Sequence, residues 1–385
     1  MILQEIRKIF GIKRVLLIVI FAVLYYFLFF QLNVGIPAYS SERVLLEVSL
    51  ELVEKYGEKI DETEYRDLFE NLNDTDESKI DTWIKTRDEY KQYGIKSYGD
   101  LLEIRDSLPD AAAAYLTSQV LEEFTPDEIQ EAMKLAFKKG YLNRLIEAYQ
   151  TELTQTTAYY SESSEQAEKR IAERNEEEVY SLMSYGVMRN YLRILPDFTI
   201  FLFLSMIFLI VPYSVKDTME GIPVLQYTSK KGCKFYWKKL AAVLISSIIL
   251  CVIEISWFIL MLNQNKSFSF TGCFVSGFWN PFITFMKLTF GQYIVMSLAY
   301  IMVIALCLSM ITYGLSSCAH NYISAIALQI PAIIFSFVLS FGLMYNFAEI
   351  TQNIMLLFLV PCICILIAVI GNMIRYVSIR IYEQF

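Results

Sequence analysis

The sequence predicts an all-α integral membrane protein in which six transmembrane helices carry a helical extracellular domain between helices 1 and 2. Hydrophobic residues make up 55% of the 385 residues and charged residues only 19%, a balance outside the usual range of soluble domains. The apolar residues gather in runs long enough to cross a bilayer, which takes about 20 residues. The charges gather elsewhere: residues 33–195 hold 34 acidic and 19 basic side chains, a net −15, and the remainder carries +7.

The spans are defined by runs almost free of Asp, Glu, Lys and Arg. The run from Leu288 to Ala348 is long enough for two spans, and the polar cluster SSCAHN at 316–321 divides it. The predicted spans are 15–34, 196–215, 240–262, 291–313, 322–346 and 352–375. The first is longer than a signal-peptide core and lacks a clear cleavage site, so we expect a retained anchor.

The orientation follows from the lysine and arginine residues that flank the spans. They concentrate in 1–14 and 216–239 and continue with Arg375 and Arg380, whereas the short loops on the other side hold only Lys266 and Lys287. We therefore expect both termini in the cytoplasm, with 35–195 outside and 376–385 as a cytoplasmic tail.

Segments outside the spans have patterns of their own. Residues 1–14 place apolar side chains on one helical face and polar side chains on the other, which predicts either an amphipathic helix lying on the inner leaflet or an ordinary basic flank to the first span. Within 35–195, TPDEIQEAMKLAFKKG predicts a helix that begins with a capping box at Thr125 and Glu128 and ends at Gly140. The loop 263–290 contains an apolar stretch, 268–286, for which we expect a re-entrant or interfacial position rather than a seventh crossing.

Several kinds of chemistry are missing from the sequence. The chain has one histidine, His320, and no phosphate-binding loop, and 35–195 contains no cysteine that could form a disulfide. We therefore predict no catalytic residue, no metal site and no cofactor bound by this chain.

One carboxylate lies where an ionised group is costly. Glu254 is in the middle of the third span, in CVIEISWF, and such a residue needs a partner or water. It is either part of a translocation path, with Gln292, Gln329 and Asn372 as intramembrane partners, or a protonated or hydrogen-bonded packing residue. The sequence leaves both readings open.

The cytoplasmic segment 216–239 has an internal order beyond its positive charge. It begins with acidic residues, continues with apolar side chains, breaks at Gly232 and returns to the membrane through lysines. A short amphipathic element held between two spans suits docking to a partner protein. Its candidate coupling residues are Asp217, Glu220, Gly221, Leu225, Lys231, Lys234 and Lys239.

In its layout and in this segment the chain resembles the six-span permeases of the type 2 ABC exporter family, particularly the sodium- and drug-exporter-like branch with a large outer domain. Its local signature is an acidic residue four before a glycine, a leucine-containing turn, a basic residue and a lysine entering the next span. The matching residues are Asp217, Gly221, Leu225, Lys231 and Lys239. Many members have arginine after the turn, where this chain has Lys231 and Lys234.

The resemblance implies a permease subunit in a bacterial plasma membrane. In the family, this segment is a coupling helix that fits a groove on a separate cytoplasmic ABC ATPase, which binds ATP and Mg²⁺. A second permease copy or a sister permease would complete the transporter, and a peptide, lipid, drug or ion would be its substrate.

Three alternatives remain open at this stage. A membrane sensor would bind a peptide or lipid with the extracellular helical domain, and it would not need five closely spaced spans after that domain. A four-span mechanotransmitting ABC subunit should have three spans there. A membrane enzyme lacks the expected metal and nucleophile constellations, and nothing in the sequence indicates binding to nucleic acid.

Overall fold

The computed structural model describes most of the chain, and within the described residues every regular element is a helix. The described residues are 2–31, 41–73, 78–150, 169–170, 178, 180–222, 232–277 and 282–382. The chain divides into two compact units, one of Met1–Gly35, Arg189–Thr271 and Phe290–Phe385, the other of Ile36–Met188 and Gly272–Thr289.

The α-helices are numbered in chain order. They are α1 (Ile2–Ile9), α2 (Ile12–Tyr25), α3 (Ser41–Tyr56), α4 (Glu62–Asn73), α5 (Lys79–Thr86), α6 (Asp88–Lys91), α7 (Tyr98–Ile104), α8 (Asp110–Glu123), α9 (Pro126–Gln150), α10 (Tyr185–Met219), α11 (Gly232–Leu262), α12 (Phe290–Ser316), α13 (Tyr322–Leu339) and α14 (Ile354–Tyr382). Short π-helical turns extend α2 through Tyr26–Phe30 and α13 through Ser340–Met344.

Among the described residues, six helices are long and apolar enough to cross a membrane, as the sequence predicts. They are Ile12–Phe30, Tyr185–Met219, Lys234–Asn265, Phe290–Ser316, Tyr322–Met344 and Ile354–Arg380. The predicted division at 316–321 is confirmed: α12 ends at Ser316, and Asn321 caps α13 by accepting a hydrogen bond from the Ser324 backbone (2.8 Å). The side chain of Ser324 completes this capping box.

Helix α10 is the inner helix of the first unit. Its apolar stretch is 89% buried within the protein, against 11% for α2 and for α14. Phe201 of α10 packs against Phe21 of α2 and Trp257 of α11, with ring centroids 5.4 and 5.5 Å apart. Tyr191 of α10 also shares a hydrogen bond with Ser297 of α12, 2.6 Å between the oxygens. Helices α2, α11 and α12 therefore pack against α10.

Helix α9 joins two apolar clusters in the described part of the second unit. One cluster lies against the first half of α9, around Ala132. The other contains Tyr141 and Leu145 from its second half. The capping box at Thr125 and Glu128 is confirmed, since each side chain meets the other residue's backbone nitrogen (3.4 and 3.2 Å).

The predicted end of this helix at Gly140 is wrong, because α9 continues to Gln150. Gly140 is exposed, and nothing lies within 4 Å of where its Cβ would be. Burial of Tyr141, Leu142 and Leu145, which follow it, offsets the modest loss of helix stability that an interior glycine causes. Burial of the next apolar turn therefore overrides the stop signal.

The segment 272–289 belongs to the second unit. The Ser181 side chain donates a hydrogen bond to the Phe274 carbonyl (2.9 Å), and the Val275 nitrogen donates to the Leu288 carbonyl (3.0 Å). Residues 182–184 are not helical, and α10 begins after them at Tyr185. Residues 278–281 lie outside the described residues, and the re-entrant position of 268–286 stays a prediction.

Candidate functional site

The N-terminal helix contributes a buried carboxylate to one end of the first unit. Helix α1 packs against α11, with Ile9 fully buried and Glu5 only 5% exposed. Leu3 of the predicted apolar face is 80% exposed on the protein surface, and the position of this face on the inner leaflet stays a prediction. The buried face follows the positions of Glu5 and Ile9, four residues apart on one side of the helix.

Glu5 is held by two hydrogen bonds. The Tyr213 hydroxyl of α10 donates to Glu5 Oε2 (2.7 Å), and Lys8 Nζ donates to Oε1 (2.8 Å). Burial by itself raises the pKa of the Glu5 carboxyl, but the hydrogen bonds from Lys8 and Tyr213 and the charges of Lys8 and Lys239 outweigh it. The pKa is lowered as a result, so Glu5 is ionised at neutral pH.

Next to Glu5, a buried ion pair joins the last turn of α10 to the start of α11. Lys239 Nζ donates to Asp217 Oδ2, and the two side chains are 4% and 11% exposed. The charge of Asp217 also acts on Lys8, and that of Lys239 on Glu5. We call Glu5, Lys8, Tyr213, Asp217 and Lys239 the charge cluster. It connects α1, α10 and α11.

The guanidinium of Arg14 approaches the charge cluster from α2. Its central carbon lies 5.9 Å from the centroid of the Tyr213 ring. Helix α2 therefore contacts the same tyrosine that binds Glu5, which makes Tyr213 the residue shared by three helices.

Other predicted coupling residues lie on the surface near the charge cluster. Gly221 follows the end of α10 with a φ of +68°, a conformation that suits glycine at a helix C-terminus. Glu220 is exposed and lies 3.5 Å from Lys216, and Lys234 is exposed on the first turn of α11. Leu225 and Lys231 lie outside the described residues.

Asn372, one of the four predicted path residues, ties three helices together. It accepts a hydrogen bond from the Tyr236 hydroxyl of α11 (2.6 Å) and donates to the Met310 carbonyl of α12 (3.1 Å). It also donates to the Ala368 carbonyl of its own helix (2.7 Å). These contacts account for a buried amide inside a span without any substrate.

The remaining path residues are spread over the unit. Gln329 is buried and donates to the Ser316 hydroxyl (3.2 Å), whereas Gln292 is exposed on α12. Glu254 is buried on α11, eighteen residues after Tyr236, which is about 27 Å along a helix at 1.5 Å per residue. The structure therefore does not bring Glu254 and Asn372 together.

Sequence reasoning identified Asp217 and Lys239 but missed Glu5 and Tyr213. A signal for Tyr213 was present, since it lies four residues before Asp217 on the same helical face and its hydroxyl needs a partner when buried. Glu5 gave no such signal, because an acidic residue on a short terminal helix is ordinarily solvated.

Across the described residues, no group of three or more His, Cys, Asp and Glu side chains is arranged to hold a metal ion. Comparison with protein-family models, with curated proteins and with solved structures found no match for this chain.

Proposed function

We propose that this chain is the transmembrane permease subunit of an ABC exporter. In this proposal, a separate cytoplasmic ABC ATPase binds ATP and Mg²⁺ and docks on the segment 216–239. A second permease copy or a sister permease completes the transporter, which exports a peptide, lipid, drug or ion. The 35–195 domain lies outside the cell and both termini lie in the cytoplasm.

The observation that carries the proposal is the charge cluster. A docking segment can move the membrane helices only if a force applied to it reaches them. The Asp217–Lys239 pair fastens both ends of the proposed coupling segment to each other, and Tyr213 fastens α10 to α1 through Glu5. A displacement of the segment would therefore move α1, α10 and α11 together.

The energetics favour movement as one body. Separating a buried ion pair leaves charges without compensation, at a cost of about 3–5 kcal/mol. ATP can shift the permease between two states only if the ATPase grips those states differently. Because the charge cluster resists separation, a difference in how tightly the ATPase binds the two states would act on three helices at once.

Charge reversal on the exposed side chains tests the docking. We expect Glu220→Lys and Lys234→Glu, combined in one variant, to lower the Mg²⁺-dependent ATP hydrolysis that copurifies with the tagged chain by about tenfold or more. Reversed charges at an interface weaken binding, and a loss of about 1.4 kcal/mol in binding free energy lowers the affinity tenfold. Both side chains are exposed, so the variant should still fold.

The matched control is Lys96→Glu, which reverses an exposed charge in the second unit. It should leave the copurifying ATP hydrolysis unchanged. Equal ATP hydrolysis in the wild type and the double variant would contradict the docking assignment. If no preparation carried an ATP-hydrolysing partner, the exporter proposal would fail and the membrane sensor would be favoured.

A further inference from the structure

Glu254 is a buried acidic residue for which the coupling proposal has no role. It is 4% exposed and lies on α11, within a candidate membrane span. Both of its side-chain oxygens are buried, and neither has a hydrogen-bond partner within geometric limits among the described residues. An ionised carboxylate in that position would have lost its water without gaining a replacement.

The polar group that faces this carboxyl comes from α10. The Ser205 hydroxyl is close enough to act on Glu254, and its oxygen is likewise buried without a partner of regular geometry. The two helices are held together beside it, since Phe198 of α10 stacks on Phe258 of α11 with ring centroids 4.2 Å apart. The stacked rings hold α10 and α11 in contact one helical turn after Glu254.

In the part of the chain that the structure describes, no cation compensates the carboxyl. Among the described residues, no lysine, arginine or histidine forms an ion pair with Glu254 or acts on its charge, and Ser205 is the facing group on the neighbouring helix. The titratable neighbour on its own helix is Cys251, one turn earlier, which is itself buried. The surroundings thus suit a neutral carboxylic acid, whose O–H can donate to the Ser205 oxygen.

We propose that Glu254 is a proton-binding site in the interior of the helix bundle, where it carries its proton at pH 7 with Ser205 as the hydrogen-bond partner. The ligand is a proton rather than a metal cation, because the hydroxyl and carboxyl offer few of the oxygen ligands that a bare cation requires. The proton leaves when α10 and α11 separate far enough to admit water around the carboxyl, so protonation reports on the packing of this helix pair.

An apolar carbodiimide is a suitable probe for a protonated carboxyl in an apolar environment. The carboxyl proton goes to one nitrogen of dicyclohexylcarbodiimide as the carboxyl oxygen bonds to its central carbon. The resulting O-acylisourea then transfers the acyl group from oxygen to nitrogen and becomes a stable N-acylurea. No atom leaves and no oxidation occurs, and an ionised carboxylate lacks the proton that the first step needs.

The experiment treats the purified full-length chain at pH 7 with dicyclohexylcarbodiimide or with a water-soluble carbodiimide, and locates adducts by peptide mass spectrometry. We expect the apolar reagent to label Glu254 at least tenfold more than the water-soluble one. The exposed Glu220 is the internal control and should not react with the apolar reagent at pH 7. Glu254→Gln, which mimics the neutral acid in shape, should elute like the wild type and lose the adduct.

Three results would overturn the proposal. One is the absence of an adduct on Glu254 in protein that elutes normally. Another is equal labelling by the two reagents, which would show that water already reaches the carboxyl. The third is protection by sodium chloride but not by choline chloride, which would make sodium the ligand. None of these results depends on an ATPase partner, so this proposal and the exporter proposal fail separately.

Discussion

The buried pair of Asp217 and Lys239 allows a sharp test of the charge cluster. Asp217→Asn leaves the Lys239 ammonium charged, and Lys239→Met leaves the Asp217 carboxylate charged. In the wild type the Asp217 side chain is 11% exposed and the Lys239 side chain 4%. Removing one partner of a buried ion pair costs about 3–5 kcal/mol, because the other charge stays buried without compensation. Each single variant should therefore be strongly destabilised.

The double variant Asp217→Asn/Lys239→Met should be more stable than either single variant. Neither of these two positions carries a charge in it, and its remaining cost is an amide without a full set of partners, about 1–3 kcal/mol. If the two single costs were independent, the double variant would lose about 6–10 kcal/mol, the sum of two losses of about 3–5 kcal/mol. The difference between these values is the coupling energy of the pair.

The assay is the fraction of protein that still elutes as a monodisperse peak from size-exclusion chromatography after heating in detergent. Because unfolding of such a protein is often irreversible, the order of the midpoints is the measurement. The control is Lys216→Ala/Glu220→Ala, which removes a pair that is 59% and 50% exposed and should cost less than about 1 kcal/mol. A double variant that melts below both single variants would refute the reasoning.

Two further predictions concern α1 and the topology. The lowered pKa of Glu5 means that its contribution to stability is present above the unfolded value of 4.5 and is lost as the pH falls through the folded pKa. The melting midpoints of the wild type and Glu5→Gln should therefore differ at pH 7 and converge as the pH falls from 4.5 through the folded pKa, and a constant difference would contradict the contacts of Glu5. A membrane-impermeant maleimide should label Lys96→Cys in intact cells and Lys234→Cys only after permeabilisation, and labelling of Lys234→Cys in intact cells would invert the topology.

The predicted spans were largely correct because the free energy of transferring a helix from water into a membrane is a sum over neighbouring residues in the sequence. A run of about 20 apolar residues is sufficient to cross a membrane whatever lies beside it. The turn at 316–321 was equally readable, since Asn321 and Ser324 cap the next helix within four residues of each other. Local signals failed at Gly140, where the burial of Tyr141 and Leu145 continues the helix.

Only part of the candidate site could be predicted from the sequence. Asp217 and Lys239 could be picked out because a lysine entering a span is conspicuous, but their pairing with each other was not foreseen. Gln329 and Asn372 looked like path residues because polar side chains are rare in spans. In the structure Asn372 joins three helices, and this contact depends on the positions of Tyr236 and Met310.

Amino-acid order alone was enough to place six apolar helices and to separate them from an acidic helical segment, because hydropathy, charge and capping act over short distances in the chain. Which buried charges find partners is a different matter. Glu5 meets Tyr213 across 208 positions of sequence, and Glu254 meets no cation among the described residues. Electrostatic energy in a low-dielectric interior depends on distances in space, so the folded arrangement of the helices decided both outcomes.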